Sequence, residues 1–130
     1  MLFRIWLRRS STDRRYNAMK AYNKDTGRLG EQMAERLLGE KGYEIIKRNF
    51  STRFGEIDLI CLDHDTLVFV EVKTKRNLEF GTPEEMFTKG KAERVKRMAS
   101  VYLEGRETNC RIDMVAIVLG DNAEPQRMTH

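Results

Sequence analysis

Three charged residues stand inside runs that otherwise have the character of core. They are Asp58 in GEIDLI and the pair Glu71 and Lys73 in LVFVEVKTK. In an extended strand, residues two apart point to the same side. Leu67, Phe69, Glu71 and Lys73 therefore share one face, and Val68, Val70 and Val72 share the other. Both faces begin apolar, as in a strand buried within a sheet. A buried ion pair stabilises little there, because desolvation can cancel its Coulomb gain. Two carboxylates with a lysine beside them do have a chemical use. Hard divalent cations such as magnesium take carboxylate oxygens and keep several waters. A metal held by Asp58 and Glu71 would polarise a phosphoryl oxygen and lower the pKa of a bound water. Lys73 would then orient that water, help deprotonate it, or stabilise charge on the phosphate.

Structural alternatives exist for each residue. Glu71 and Lys73 also suit an ion pair at a strand end. Asp58 also suits a hairpin cap or an arginine partner, although an unpaired acid inside Ile-Asp-Leu-Ile would be costly. Glu56 shares the parity of Asp58, and is either a supporting acid behind it or an exposed residue at the strand start.

Positioning these groups requires a sheet. EIDLICL and TLVFVEVK form two strands joined by the short Asp-His-Asp connection, an antiparallel hairpin. A symmetrical turn centred near His64 sets Asp58 opposite about Val70. A one-residue bulge or a longer loop is then needed to bring it opposite Glu71. YEIIKRNF is a strand before this hairpin, and CRIDMVAIVL is a long strand after it. DTGRLGEQMAERLLGEKGY is a helix, with Asp25 or Thr26 as cap, Leu29, Met33, Ala34, Leu37 and Leu38 on its apolar side, and Gly42 as its stop. TKGKAERVKRMASVYLEG is a second helix, capped by Thr88, with Ala92, Val95, Ala99, Tyr102 and Leu103 inward and Gly105 at its end. The predicted fold class is α/β: a mixed sheet in the order α-β-β-β-α-β with helices packed on it. The tail from Gly120 is polar, with room for more edge structure.

The chain has 130 residues, enough for one domain, and is 40% hydrophobic and 34% charged. No apolar run approaches the roughly 20 residues that span a membrane. MLFRIWLRR lacks the long apolar stretch of a signal peptide, so the expected compartment is cytoplasmic. Cys61 and Cys110 sit in strand-like runs as small hydrophobes rather than as a disulfide. The net charge of +4 is uneven: residues 1–24 hold seven basic residues against Asp13 alone. Residues 1–24 are therefore expected to be a flexible basic arm on a single domain of residues 25–130. A basic arm suits a polyanion, nucleic acid before anionic membrane, or else serves solubility.

GEIDLI followed by VFVEVKTK resembles the PD-(D/E)xK nuclease core of restriction-endonuclease-like folds. More closely, the chain resembles the YraN family of small predicted endonucleases, from about Gly27 to Leu119. The shared series is GRLGEQMAERLL, GY, RN, GEIDLI, LVFVEVKTK, FGTPEE, the basic helix with YL, and RIDMVAI. The resemblance implies a restriction-endonuclease-like core with Mg2+ or Mn2+ as cofactor. It makes Asp58 and Glu71 the metal-binding acids and Lys73 the catalytic lysine, and adds the Val72 carbonyl as a metal ligand. Similarity to archaeal Holliday-junction resolvases adds Glu31, from the first helix, to the catalytic and metal set. The helical wheel alone does not choose between Glu31 and Glu40. Ile57 stands where the nominal motif has proline.

Lys89, Lys91, Arg94, Lys96 and Arg97 make the second helix basic on its outer side, usually a solvated face. With Lys75, Arg76 and the arm they also suit phosphate contacts, so the expected nucleic-acid-binding set is Lys75, Arg76, Lys89, Lys91 and Arg94. The expected activity is hydrolysis of phosphodiester bonds in DNA rather than RNA, selective for branched or single-stranded structure. The alternatives are a nucleic-acid-binding protein of the same fold with little catalysis, and a small structural domain held by its apolar N-terminus. One site per domain would need a homodimer to cut two strands symmetrically.

Overall fold

A computed structural model describes residues 3–10, 23–75, 87–119 and 126–129. Strand β1 (Phe3–Ser10) is followed by helix α1 (Asn23–Glu40), strands β2 (Glu44–Thr52), β3 (Gly55–Asp63) and β4 (Thr66–Lys75), helix α2 (Lys89–Leu103), and strands β5 (Cys110–Leu119) and β6 (Gln126–Thr129). The six strands form one mixed sheet in the order β2-β3-β4-β5-β1-β6. The β2–β3 and β3–β4 pairs are antiparallel, while β4 and β1 both run parallel to β5.

The order therefore departs from the expected α-β-β-β-α-β, because a strand precedes the first helix and another follows β5. Phe3–Ser10 was expected within the flexible arm, yet it pairs with β5 from Phe3↔Ile112 to Ser10↔Leu119. The reason lies in β5, where Arg111 through Val118 are all buried. An uncovered edge there would leave a row of backbone N–H and C=O groups without partners. Asn23 and Lys24, also expected in the arm, begin α1, and residues 1–2 and 11–22 lie outside the described residues.

α1 covers one face of the sheet. Ala34, Leu37 and Leu38 pack with Tyr43, Leu59, Cys61, Val68, Val70, Val115 and Ile117. α2 covers the other, where Ala92, Val95, Met98 and Ala99 meet Ile60, Leu67, Phe69, Ile112 and Met114. Alternate residues of β4 and β5 divide between the two cores, so both strands are apolar on both faces. α1 ends in a Schellman motif. Tyr43 N–H donates to the Leu38 carbonyl at 2.9 Å and Gly42 N–H to that of Gly39 at 3.0 Å, with Gly42 at φ 89°. α2 begins at Thr88, whose hydroxyl accepts from Lys91 N–H at 3.3 Å. Among the described residues no helix is long and apolar enough to cross a membrane.

One close approach fixes α1 against β4. A Cβ built at Gly30 would lie 1.8 Å from Thr74 Oγ1 and 2.9 Å from its Cβ. No rotamer of a β-branched neighbour relieves both contacts, so Gly30→Ala must push helix and strand apart. The expected loss is about 1–3 kcal/mol in denaturant unfolding. Adding Thr74→Gly should recover most of it; no recovery would mean that this contact does not set the spacing.

Candidate active site

The β3–β4 turn decides the first part of the site. Asp63 pairs with Thr66, so only His64 and Asp65 remain in the turn, with His64 at φ 56°. The turn centre thus falls between His64 and Asp65 rather than on His64. The register then runs through Leu62↔Leu67 and Cys61↔Val68 to Leu59↔Val70. One step further, Asp58 is level with Glu71, without the bulge that a turn centred on His64 would require.

At that step the ladder stops. Pairing between β3 and β4 ends at Leu59↔Val70, and the Asp58 carboxylate reaches across, Oδ2 accepting from Val72 N–H at 2.7 Å. On the other side, between the pairs Arg48↔Leu59 and Phe50↔Ile57, Asn49 takes φ 52°. The alternation of β3 breaks at the same place. Ile57 packs in the α2-side core, whereas Leu59, two residues on, packs on the α1 side. Asp58 thus occupies a point where the sheet opens, and a side chain replaces the missing backbone bond.

Glu71 is half-buried, and among the described residues its carboxylate makes neither a hydrogen bond nor an ion pair. Burial first, and then the charge of Asp58, push its pKa up to about 7, against the pull of Lys91, Arg94 and Lys73. Asp58 is also raised. Burial is the main cause and Glu56 adds to it, opposed by the Val72 N–H bond and by Lys91. Glu31, half-buried beside Gly30, is raised by burial and then by Asp58 and Glu56, against Arg28. Four acids from α1, β3 and β4 are therefore linked through one another's charge.

Lys91 is the residue whose placement differs most from the sequence reading. It was expected on the outer basic side of α2. It is instead half-buried at the first turn of the helix, near enough to Glu71 and Asp58 for their charges to raise its pKa. Burial, Lys73 and Arg94 prevail and lower it. Lysine at a helix N-terminus opposes the helix dipole, and this first turn contains no acid. The arrangement costs the helix stability, and it presents a positive corner to Glu71.

The remaining expected residues separate clearly. Lys73 is exposed beyond Glu71 on β4, with no hydrogen bond or ion pair among the described residues. Lys89 is exposed on α2, Arg94 lies on the same helix, and Lys75 is half-buried at the end of β4. Arg76 lies outside the described residues. Among the described residues, no three His, Cys, Asp or Glu side chains gather tightly enough to hold a metal ion. The residues nevertheless fit a hard cation bound through two carboxylates and its own waters. Among the described residues the Glu71 carboxylate has no partner, and Asp58 uses only Oδ2 in a hydrogen bond. Glu31 is placed to act on Asp58 through its charge.

A second charged group went unrecognised in the sequence. Arg111 and Asp113 sit two apart in β5, 7% and 0% exposed. Arg111 Nε donates to Asp113 Oδ1 at 2.9 Å and its Nη2 to Asp63 Oδ2 at 2.7 Å and to the Tyr43 hydroxyl at 2.5 Å. That hydroxyl donates to Asp113 Oδ2 at 2.9 Å. The detectable signal was the same as for Glu71 and Lys73: two opposite charges at i and i+2 inside an apolar run. In this group each charge has an opposite partner, whereas among the described residues the Glu71 carboxylate has none.

Comparison with known proteins gives the lineage. The model of a family described as "Uncharacterised protein family UPF0102" matches residues 30–117. The chain belongs to the UPF0102 family. A UPF0102 protein of Rhodococcus opacus (strain B4) is 45% identical over 109 residues, covering 82% of this chain and 92% of the relative. One of Syntrophomonas wolfei is 43% identical over 102 residues, covering 76% and 89%. One of Dictyoglomus turgidum is 39% identical over 105 residues, covering 78% and 89%. The UPF0102 match begins at Gly30, the residue packed on Thr74, and ends past Arg111 and Asp113. It therefore takes in Glu31, the Asp58–Glu71 site and the Arg111 network.

Proposed function

We propose that this UPF0102 protein is a metal-dependent nuclease of the PD-(D/E)xK kind, with a restriction-endonuclease-like core, that hydrolyses phosphodiester bonds in DNA. The observation that carries this reading is the half-buried Glu71 carboxylate, level with Asp58 and without a hydrogen bond or ion pair among the described residues. A structural role for Glu71 would call for a partner, as Asp113 has. Asp58 and Glu71 would hold Mg2+ or Mn2+, with the Val72 carbonyl beside them. Such an ion supplies Lewis-acid polarisation of the phosphoryl oxygen and a more acidic bound water.

The chain's own residues do the rest. The Val72 N–H fixes the orientation of Asp58. Lys91 and Arg94 draw the anionic strand toward the carboxylates. Lys73, exposed on the same strand face as Glu71, orients the attacking water or meets charge developing on the phosphate. Glu31 tunes Asp58 from α1. Nothing among the described residues of the site is arranged to read base edges, which favours selection by DNA structure, branched or single-stranded, in cytoplasmic repair or recombination. A homodimer would supply the second site needed to cut two strands.

The test is cleavage of labelled duplex, single strand, flap, four-way junction and RNA, with Mg2+, Mn2+ or EDTA. Metal-dependent cutting of a branched or single-stranded DNA is expected. Lys73→Ala should lower kcat by about 10²–10⁴-fold with the fold intact. Binding without cutting under every metal would instead indicate a nucleic-acid-binding protein with little catalysis of its own.

A further inference from the structure

The β2–β3 hairpin tip lies at the same end of the sheet as Asp58 and Glu71. Asp58 lies three residues along β3 from Gly55, about 10 Å at the rise of an extended strand. The tip is braced by its own side chains. Thr52 Oγ1 accepts from Phe54 N–H at 3.0 Å and donates to the Gly55 carbonyl at 3.2 Å. Gly55 holds φ 132°, a conformation that L side chains rarely adopt, and a Cβ there would lie 3.6 Å from Met98 Sδ of α2. Phe54 packs against the α2-side core. The tip is thereby seated on the helix that carries Lys91 and Arg94.

Arg53 stands at this tip. It is exposed, and its guanidinium lies over the Phe54 ring, 4.8 Å from the centroid. Among the described residues Arg28, Arg36, Arg94 and Arg97 also make no hydrogen bond or ion pair, but Arg53 is the one at this tip, over a ring. Arg48 pairs with Glu35, Arg111 with Asp63 and Asp113, and Arg106 with the last carbonyls of α2. No carboxylate pairs with Arg53 among the described residues. A guanidinium stacked on a ring keeps its N–H donors in plane and available, an arrangement suited to phosphate oxygens.

We infer that Arg53 is a nucleic-acid-binding residue: it grips a backbone phosphate neighbouring the one at Asp58 and Glu71, so that the strand runs between the β2–β3 tip and the first turns of α2. This rests on the proposed function, since it takes the phosphodiester at the carboxylates as its origin. The commitment is to a nucleic-acid strand read through its phosphates.

The experiment is binding of a labelled single-stranded DNA and a labelled four-way junction in EDTA across a salt series, for wild type, Arg53→Gln, Arg53→Lys and Arg36→Gln. Arg53→Gln should weaken binding about 5–10-fold and reduce the slope of log K against log salt by about 0.7–0.9, as expected when one fewer phosphate is neutralised. Arg53→Lys should restore the slope, because the charge remains. Arg36→Gln, the same loss of charge at an exposed position of α1 on the other face of the sheet, should leave it unchanged. In cleavage, Arg53→Gln should raise KM and leave kcat near wild type. An unchanged slope in Arg53→Gln, with a lower melting temperature, would reduce Arg53 to a brace for the tip and overturn the inference. Wild type that binds without cutting would end the nuclease reading while the Arg53 slope still decides this one. Wild type that binds neither probe would overturn both.

Discussion

Glu71→Gln should make the metal-free protein more stable above pH 7 while abolishing metal-dependent cleavage. Burial and Asp58 raise the Glu71 pKa to about 7 from an ordinary 4.5. A raised carboxylate binds its proton more tightly when folded, so folding loses stability as pH rises from 4.5 toward 7. Below 4.5 the penalty is absent, and above 7 it is present in full. Solvent reaches the half-buried group, so the penalty is on the order of 1–3 kcal/mol. Glutamine keeps the shape without the charge. Thermal unfolding in EDTA should therefore show the variant and wild type together near pH 4.5 and the variant several degrees higher near pH 8. Cleavage should fall by about 10²-fold or more, because the anionic oxygen that would meet the metal is gone. A residue whose removal stabilises the fold and ends the activity is there for chemistry. Equal or lower stability of Glu71→Gln at pH 8 would show that the charge is compensated and would withdraw the main support for the site.

The Arg111 network should answer in the opposite sense. Arg111→Met leaves the Asp113 carboxylate, 0% exposed, without its guanidinium, and takes a donor from Asp63 and from the Tyr43 hydroxyl. Breaking a buried pair by removing one partner costs about 3–5 kcal/mol, a fall of roughly 10–20 °C in Tm for a domain of this size. Tyr43→Phe removes only a hydroxyl, which accepts from Arg111 and donates to Asp113, and should cost about 1–2 kcal/mol. Any cleavage per folded molecule should survive in both variants. Urea unfolding alongside single-turnover kinetics separates the two quantities. If Arg111→Met proves as mild as Tyr43→Phe, water takes the place of the guanidinium and the network does not hold β5 to the hairpin.

Much of the protein was legible in its sequence, for identifiable reasons. Period-2 and period-3.6 apolar patterns located β2 through β5 and both helices, because each buries a regular face. Thr88, Gly42 and Gly105 marked ends, because caps and positive φ restrict residue type at one position. β1 was missed although Phe3, Ile5 and Leu7 alternate along it. The arginines between them gave the segment the composition of a polar tail, and only its pairing with β5 on one side and β6 on the other gives it a place. The bulge expected opposite Asp58 was unnecessary, because a two-residue turn places its centre between residues.

The residue types and their spacing determined that Asp58 and Glu71 would sit at strand positions where charge is costly. They determined the same for Arg111 and Asp113. What they could not determine is which group is satisfied. Glu71 with Lys73 and Arg111 with Asp113 are both opposite charges at i and i+2 in an apolar strand, and along the chain they look alike. Tertiary structure brings Tyr43 and Asp63 to one of them and closes its hydrogen bonds. At the other it opens the β3–β4 ladder, turns Asp58 toward Val72 N–H, and brings the Lys91 end of α2 near a carboxylate that has no hydrogen-bond or ion-pair partner among the described residues. Partners distant in sequence decide whether a buried charge is structure or chemistry, because desolvation is set locally while its compensation comes from across the fold.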